Sequence, residues 1–547
     1  MVFGKFKKER DKQLKTEIAW SDLIIEKGKL DPLGLWRVGD RLIAELLSPF
    51  TTIVFHRPAR YFAMYTWIIY HLNNQGYEDR KKFWGRFFEL EAVLLCAIQS
   101  HQNHTYVYFL GQIGGEGAKK FLSKSKNGTL DFSNIKIPNG WEHNYKMPMY
   151  DFNVIETDLG MPSGVKVTSA GKKIAIAYQN SIKSAQFYKK YLQETVISKQ
   201  VIVDLSKFSC PCLLYKPQIK VFENERNIII DNMLKKREID SPNHIQEKLT
   251  TILSSIYLIL HYMSRLNSKG CPFTYQTFRH TLSTQVYNDS KIYSPPEEYR
   301  EIFRRWELYN LDSLLVFSLE SALAGFLEFL HKNNDNIKSS QLNTRIKDYL
   351  LTEMKKLRIE DLTLYSSLRK TFEPIAFLPA LKLSDLEKRL IEEIRGQTSL
   401  RKTIFSFLLF VYVQALFIKK KVSPGYKNAM KFLHENSYRD GMELSLFQSI
   451  SETENTSLED FLTEIFFEKW IILRQLDTRS RRNKEIAWFS FNSETDTYNW
   501  ESNYNPGLYR AARSEILMTF LLNFEIVTHK QDGWYLNRNS YFYKDVD

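Results

Sequence analysis

The sequence predicts a mainly helical, α+β protein of several domains that ends in a winged-helix-like module. Three observations carry this expectation. The chain is 547 residues long, more than one compact domain holds. It is 43% hydrophobic and 25% charged, the balance of a chain with a real core, and Gly 22 with Pro 16 is too little for a loop-rich all-β protein. Apolar residues recur at helical spacing along most of its length. Disordered, collagen-like and disulfide-stapled classes are thereby excluded.

The elements follow in order. Leu35, Val38, Leu42, Ile43, Leu46 and Leu47 mark a first helix, stopped at Ser48-Pro49 because proline disfavours a helical residue before it. Pro58 opens a second through Tyr61, Met64, Tyr65, Ile68 and Ile69. A third spans 80–100, with Phe83, Phe87, Leu90, Val93 and Leu94 on one face. From about 110 to 180, Gly, Asn, Lys and Pro predict loops with short helices, and 180–207 reads as helix again. Helices are expected at 245–266, 296–306, 310–332, 341–356, 384–395 and 400–418. Ser457-Leu458-Glu459-Asp460 starts another by a capping box. A basic link, a hairpin at 486–500, a helix from Asn505-Pro506 and a hairpin turning at Gln531-Asp532-Gly533 complete a winged-helix layout. The expected domains are 1–110, 111–240, 241–445 and 446–547.

Four cysteines in so long a chain form no disulfide framework. Cys96 lies in an apolar run. Cys210 and Cys212 bracket Pro211 and supply half of a zinc set at most, with only Cys271 left to add, so they read as structural thiols. His101 and His104 are followed by no acidic partner and read as a solvated loop end. No metal or cofactor is expected. The opening MVFGKFKKERDKQLKTE is basic but lacks the apolar stretch of a secretory signal. The uncharged run Thr403 to Phe417 falls short of the ~20 residues that span a bilayer, so it reads as a buried central helix, as does Leu253 to Ser264. The expected location is the cytoplasm, with no membrane partner.

Catalytic signatures are missing from the sequence. It has no His-x-Lys pair, Walker loop or Gly-x-Ser-x-Gly elbow. Gly111 to Gly117 is glycine-rich without the preceding strand that a nucleotide loop needs. Glu464, Glu468 and Lys469 have the spacing of surface ion pairs.

Basic residues carry the positive signal. Lys+Arg 76 against Asp+Glu 63 gives a net charge of +13, which favours polyanionic partners. Arg57 and Arg60 stand at a helix start, where cations oppose the dipole, so a compensating anion is expected. Asp40, Glu45 and a bound phosphate are the candidates. Arg479, Arg481, Arg482 and Lys484 precede the first C-terminal hairpin, Arg510 and Arg513 lie on the helix after it, and Lys530 tips the last hairpin. In a winged helix these positions meet phosphates or base edges. A solvated basic face and a protein-docking module are the other readings. Lysine pairs at 81–82, 119–120, 172–173 and 235–236 read as scattered and solvated.

The opening also carries a resemblance. Ala19-Trp20-Ser21-Asp22, Asp31-Pro32-Leu33-Gly34, Arg37-Val38-Gly39-Asp40, Leu47-Ser48-Pro49-Phe50-Thr51-Thr52-Ile53 and Arg57-Pro58-Ala59-Arg60-Tyr61-Phe62 resemble the opening of a bacterial family known as a domain of unknown function. Asn505-Pro506-Gly507-Leu508 is similar to its end. Members of that family lie beside helicase-like and restriction-like genes in anti-phage islands, so the resemblance implies a defence-system component and supplies no catalytic residues. The expectation is a DNA-associated, non-catalytic subunit of a bacterial defence or restriction-like system, partnered by duplex DNA and other defence proteins. A divergent metal-dependent nuclease and a scaffold for a helicase or methylase are the alternatives.

Overall fold

The computed structural model describes chiefly residues 58–101, 115–124, 128–133, 140–215, 217–236, 243–287, 291–332, 378–421, 488–492, 494–501 and 513–545, with isolated positions beyond these runs. Of the described residues 68% are helical and 10% lie in strands, which makes the class mainly α. The chain divides into two compact units, each built from two stretches: Leu47–Tyr275 with Ala512–Asp547, and Met1–Leu46 with Gln276–Ala511.

In the unit that begins at Leu47, Pro58 introduces α1 (Arg60–Asn73). Its fixed φ suits a helix start, and its missing N–H is one that the first turn leaves unpaired anyway. Tyr61, Phe62, Met64, Tyr65, Trp67 and Ile68 are all buried, more than one stripe, so α1 is a central helix. Asp79 starts α2 (Arg80–Ser100) by accepting a hydrogen bond from the Lys81 amide at 2.6 Å. The predicted inner face of α2, Phe83, Phe87, Leu90, Val93 and Leu94, is buried. So is Glu91, which accepts from the Tyr65 hydroxyl at 2.7 Å and from the Trp141 amide at 2.9 Å. A Cβ on Gly140 would stand 1.9 Å from the Glu91 carboxylate, so the loop closes over that group only with glycine.

The chain continues through α3 (Gly115–Ser123), β1 (Thr129–Asp131), α4 (Lys146–Asp151), β2 (Ile155–Thr157) and β3 (Val165–Val167). Next come α5 (Ser169–Ile182), β4 (Val196–Ser198), α6 (Lys199–Ser209), α7 (Lys220–Ile229) and α8 (Asn243–Asn267). Strands β2 and β3 form one antiparallel ribbon and β1 and β4 another. The helix expected across 180–207 is therefore two helices separated by β4. The β-branched run Thr195-Val196-Ile197 favours pairing with β1. Thr168 caps α5 through the Gly171 amide (3.1 Å), and Ser198 caps α6 through the Val201 amide (3.4 Å). Helix α1 packs on α5, and α2 on α6.

The other unit contains nearly all of α9 (Tyr275–Thr284), then β5 (Val286–Tyr287), β6 (Lys291–Ile292), α10 (Arg300–Lys332), β7 (Ile337–Lys338), α11 (Ala380–Gly396) and α12 (Ser399–Lys421). The helices expected at 296–306 and 310–332 are one continuous helix, because Glu307-Leu308-Tyr309 contains no breaker. Helix α12 holds the uncharged run. It and the segment Glu297–Lys332 are long and apolar enough to cross a membrane, and 89% of each apolar window is buried inside the protein. Glu328 on α10 accepts from the Ser399 amide (2.7 Å) and Lys402 Nζ (2.8 Å), tying down the start of α12. A Cβ on Gly325 would lie 2.5 Å from the Ser399 carbonyl oxygen and 2.6 Å from Thr403 Oγ1. Gly325→Ala is therefore expected to cost about 1–3 kcal/mol by overpacking this contact, read as a lowered denaturant midpoint.

After α12 come β8 (Phe489–Asn492) and β9 (Thr497–Trp500), which join β7 as a sheet ordered β7-β9-β8 in the second of these units. The last elements, α13 (Arg513–Leu522), β10 (Val527–Lys530) and β11 (Gly533–Leu536), belong to the unit that begins at Leu47. Both predicted hairpins exist, in different units, and the described residues do not show a winged-helix domain over 446–547. An isolated hairpin is marginal in water and needs a partner surface. Hairpin β10–β11 finds it at Phe273, which exchanges two backbone hydrogen bonds with Trp534 at 2.9 and 3.0 Å. Phe520 of α13 meets Phe62 and Phe152 with ring centroids 6.1 and 6.3 Å apart.

Candidate functional site

The predicted basic set fares unevenly. Arg57, Arg479, Arg481, Arg482, Lys484 and Arg510 lie outside the described residues, as does His104. Arg513 is the first residue of α13. The described side chains of that helix from Ile516 to Leu522 are all buried, and the side chain of Arg513 lies outside the described residues. Lys530 is exposed at the end of β10, with its ammonium 4.4 Å from the centre of the Tyr535 ring.

Arg60 is not a surface contact and leaves the nucleic-acid set. It is 1% exposed and meets Glu225 with both ends of its fork, Nε to Oε1 at 2.8 Å and Nη2 to Oε2 at 2.7 Å. Its third donor, Nη1, reaches the Cys210 carbonyl at 2.7 Å. The compensating anion expected at this helix start is thus an intramolecular carboxylate. It is Glu225 of α7, while Asp40 and Glu45 lie outside the described residues.

A basic surface lies along α5 and α6. Residues 165–220 hold ten lysines, no arginine and two acids, a net charge of +8 out of the chain's +13. Lys172, Lys173, Lys183, Lys189, Lys190, Lys199, Lys207 and Lys220 are exposed. The local fold explains why. Helix α5 buries Ala170, Ile174, Ala177 and Tyr178, so Lys172, Ile176, Asn180 and Lys183 fall on its outer stripe. Helix α6 buries Val201, Ile202 and Leu205, so Lys199, Val203 and Lys207 recur every four residues on its outside. The two helices are neighbours. Lys166 is already committed, 3.4 Å from both Glu156 and Asp158. A running net charge along the sequence reveals this segment; single lysine pairs do not.

Two groupings of side chains distant in sequence are brought together by the fold. The Cys210 and Cys212 sulfurs are 2.9 Å apart, and Cys212 Sγ is 3.6 Å from His101 Nδ1. Burial, and then the contact with Cys212, push the Cys210 thiol far above the ordinary range. No spacing rule could pair His101 with Cys212, which lie 111 positions apart.

In the other unit, Glu387 of α11 takes Arg279 Nη2 at 3.3 Å, the Tyr412 hydroxyl at 3.2 Å and His280 Nδ1 at 3.1 Å. His280 Nε2 is 2.5 Å from Ser384 Oγ. Serine, imidazole and carboxylate stand in the order of a nucleophile triad. Ser384 is 2% exposed and the carboxylate is shared with Arg279 and Tyr412, so the grouping joins α9, α11 and α12. Among the described residues, the one group of three His, Cys, Asp or Glu side chains with metal-ligand spacing is His101, Cys210 and Cys212. No acidic trio of the nuclease kind occurs among them.

Comparison with known protein families, curated proteins and solved structures finds no match to the chain.

Proposed function

We propose that the chain is a nucleic-acid-associated, non-catalytic component of a bacterial anti-phage defence or restriction-like system, acting in the cytoplasm on duplex DNA beside other defence proteins. The observation that carries this reading is the run of seven exposed lysines on α5, α6 and the segment between them, inside a stretch, residues 165–220, that holds +8 of the net charge. Lysine is a flexible point charge that suits phosphate contact without base reading. Binding through it is sequence-tolerant and driven by counterion release. The winged-helix-like reading of 446–547 enters only through hairpin β10–β11, where Lys530 adds one phosphate contact. The defence setting rests on the resemblance of the opening residues.

The test is retention of duplex DNA at low salt, followed across a salt titration. Wild-type protein is expected to bind with an affinity that falls steeply as salt rises, and Lys172→Glu with Lys173→Glu, Lys189→Glu and Lys190→Glu is expected to weaken it at least about tenfold. The salt slope should flatten by about 0.9 for each lost phosphate contact. No duplex retained at low salt, or a quadruple variant that binds like wild type, sinks the proposal.

A further inference from the structure

The geometry points to a second site of different chemistry: we propose that His101, Cys210 and Cys212 together bind a zinc ion. The three donors reach one place from two elements. His101 follows the last residue of α2, and Cys210 and Cys212 flank Pro211 where α6 gives way to a short 3₁₀ turn (Pro211–Leu214). Proline after Cys210 holds that residue extended, at φ −60 and ψ 130, which turns the chain so that both thiols converge. The Arg60 hydrogen bond to the Cys210 carbonyl fixes the same corner.

The distances suit the ion. The three donors, one imidazole nitrogen and two sulfurs, lie within 4.8 Å of one another. With Zn–S of about 2.3 Å and Zn–N of about 2.0–2.1 Å, a tetrahedral centre separates sulfur from nitrogen by about 3.6 Å and sulfur from sulfur by about 3.8 Å. The Cys212 to His101 separation of 3.6 Å already fits. The sulfurs, now 2.9 Å apart, open by about 0.9 Å on metal entry.

The donor set selects the metal. Two soft sulfurs and an imidazole favour zinc over magnesium or calcium, which take oxygen ligands. Charge agrees. Binding replaces two S–H bonds by two Zn–S bonds, adds one Zn–N bond and releases two protons to solvent. Two thiolates then cancel the dication, leaving a neutral centre that a buried position tolerates. Cys210 and Cys212 are buried and His101 is half-buried, so the fourth tetrahedral position is left to water at the more open edge. The bound ion ties the end of α2 to the end of α6.

The experiment uses the full chain, kept reduced, treated with chelator and titrated with cobalt(II), then with zinc in competition against a chromophoric chelator. One cobalt per chain is expected, with intense thiolate-to-cobalt charge-transfer absorption and the visible bands of a tetrahedral site, all displaced by zinc. Cys210→Ser and Cys212→Ser should each weaken zinc binding by more than about 100-fold, beyond the 10–100-fold that loss of an outer-shell partner costs. His101→Gln should remove the nitrogen donor and shift the cobalt bands, while Cys96→Ser and Cys271→Ser leave spectrum and affinity unchanged. Melting the variants in chelator checks that each folds as the metal-free wild type does. Absence of charge-transfer absorption in folded wild-type protein, or absorption and affinity undiminished in Cys212→Ser, overturns the assignment. DNA retention by the wild type is scored separately and bears on neither result.

Discussion

Arg60→Met is expected to destabilise the unit that begins at Leu47 by about 3–5 kcal/mol, the cost of leaving one member of a buried ion pair unpartnered. Arg60 and Glu225 are 1% and 0% exposed, and their two parallel hydrogen bonds satisfy both carboxylate oxygens. The guanidinium lies 5.1 Å from the Tyr178 ring centre and 5.0 Å from that of Phe222. Burial alone would lower its pKa, and pairing with Glu225 holds it above the ordinary arginine value. Glu225→Leu should cost a similar amount by stranding the cation. The double variant Arg60→Met with Glu225→Leu should recover most of the loss, because a shape-matched apolar pair removes both desolvation penalties at once. Its remaining deficit is the Cys210 carbonyl, which loses its 2.7 Å donor. Denaturant midpoints of the four proteins form a double-mutant cycle. Equal midpoints for Arg60→Met and wild type, or strictly additive losses in the double variant, refute this account.

What the sequence disclosed and what it withheld separate along one physical line. Features written by neighbouring residues were legible. The inner stripe of α2 is periodic, the uncharged core of α12 shows in its composition, and the turn of β10–β11 shows in Gly533, whose φ of 143 and closeness to the Phe273 carbonyl exclude a side chain. Features that depend on which distant surfaces meet were not. An anion opposite Arg60 follows from helix electrostatics, but its supply by Glu225, 165 positions away, does not. The tail has winged-helix order in sequence. Among the described residues, α13 and hairpin β10–β11 find Phe62, Phe152 and Phe273 as their partners, surfaces that element order does not name. The lysine surface on α5 and α6 is legible in net charge summed over a window and not in adjacent lysine pairs. The thiol–imidazole grouping lies beyond any local rule, since α2 and α6 must pack before His101 meets Cys212.

Glu387→Gln is the second large loss expected, about 3–5 kcal/mol, in the unit built from Met1–Leu46 and Gln276–Ala511. Glu387 of α11 is fully buried and is held by groups from two other helices, Arg279 and His280 of α9 and Tyr412 of α12. The amide keeps the shape but withdraws the charge opposite Arg279, which is 4% exposed. Acid should act on the wild type in the same way. Burial raises the Glu387 pKa, but Arg279 and then His280 outweigh it, so the folded value lies below that of an ordinary carboxylate. A depressed folded pKa contributes stability that is fully present above the unfolded value, about 4.3, and is lost as pH falls through the folded one. Wild-type stability should therefore drop on acidification below about pH 4, with a proton-linked slope that Glu387→Gln lacks. The two proteins converge at low pH if this carboxylate carries the difference. Denaturation curves between neutral and acid pH decide it: a constant gap between wild type and Glu387→Gln at every pH would mean that shape, not charge, holds α9, α11 and α12 together. Tyr412→Phe supplies the scale. It removes one neutral donor from the same carboxylate and should cost only about 1–3 kcal/mol, with the acid limb of the stability curve retained.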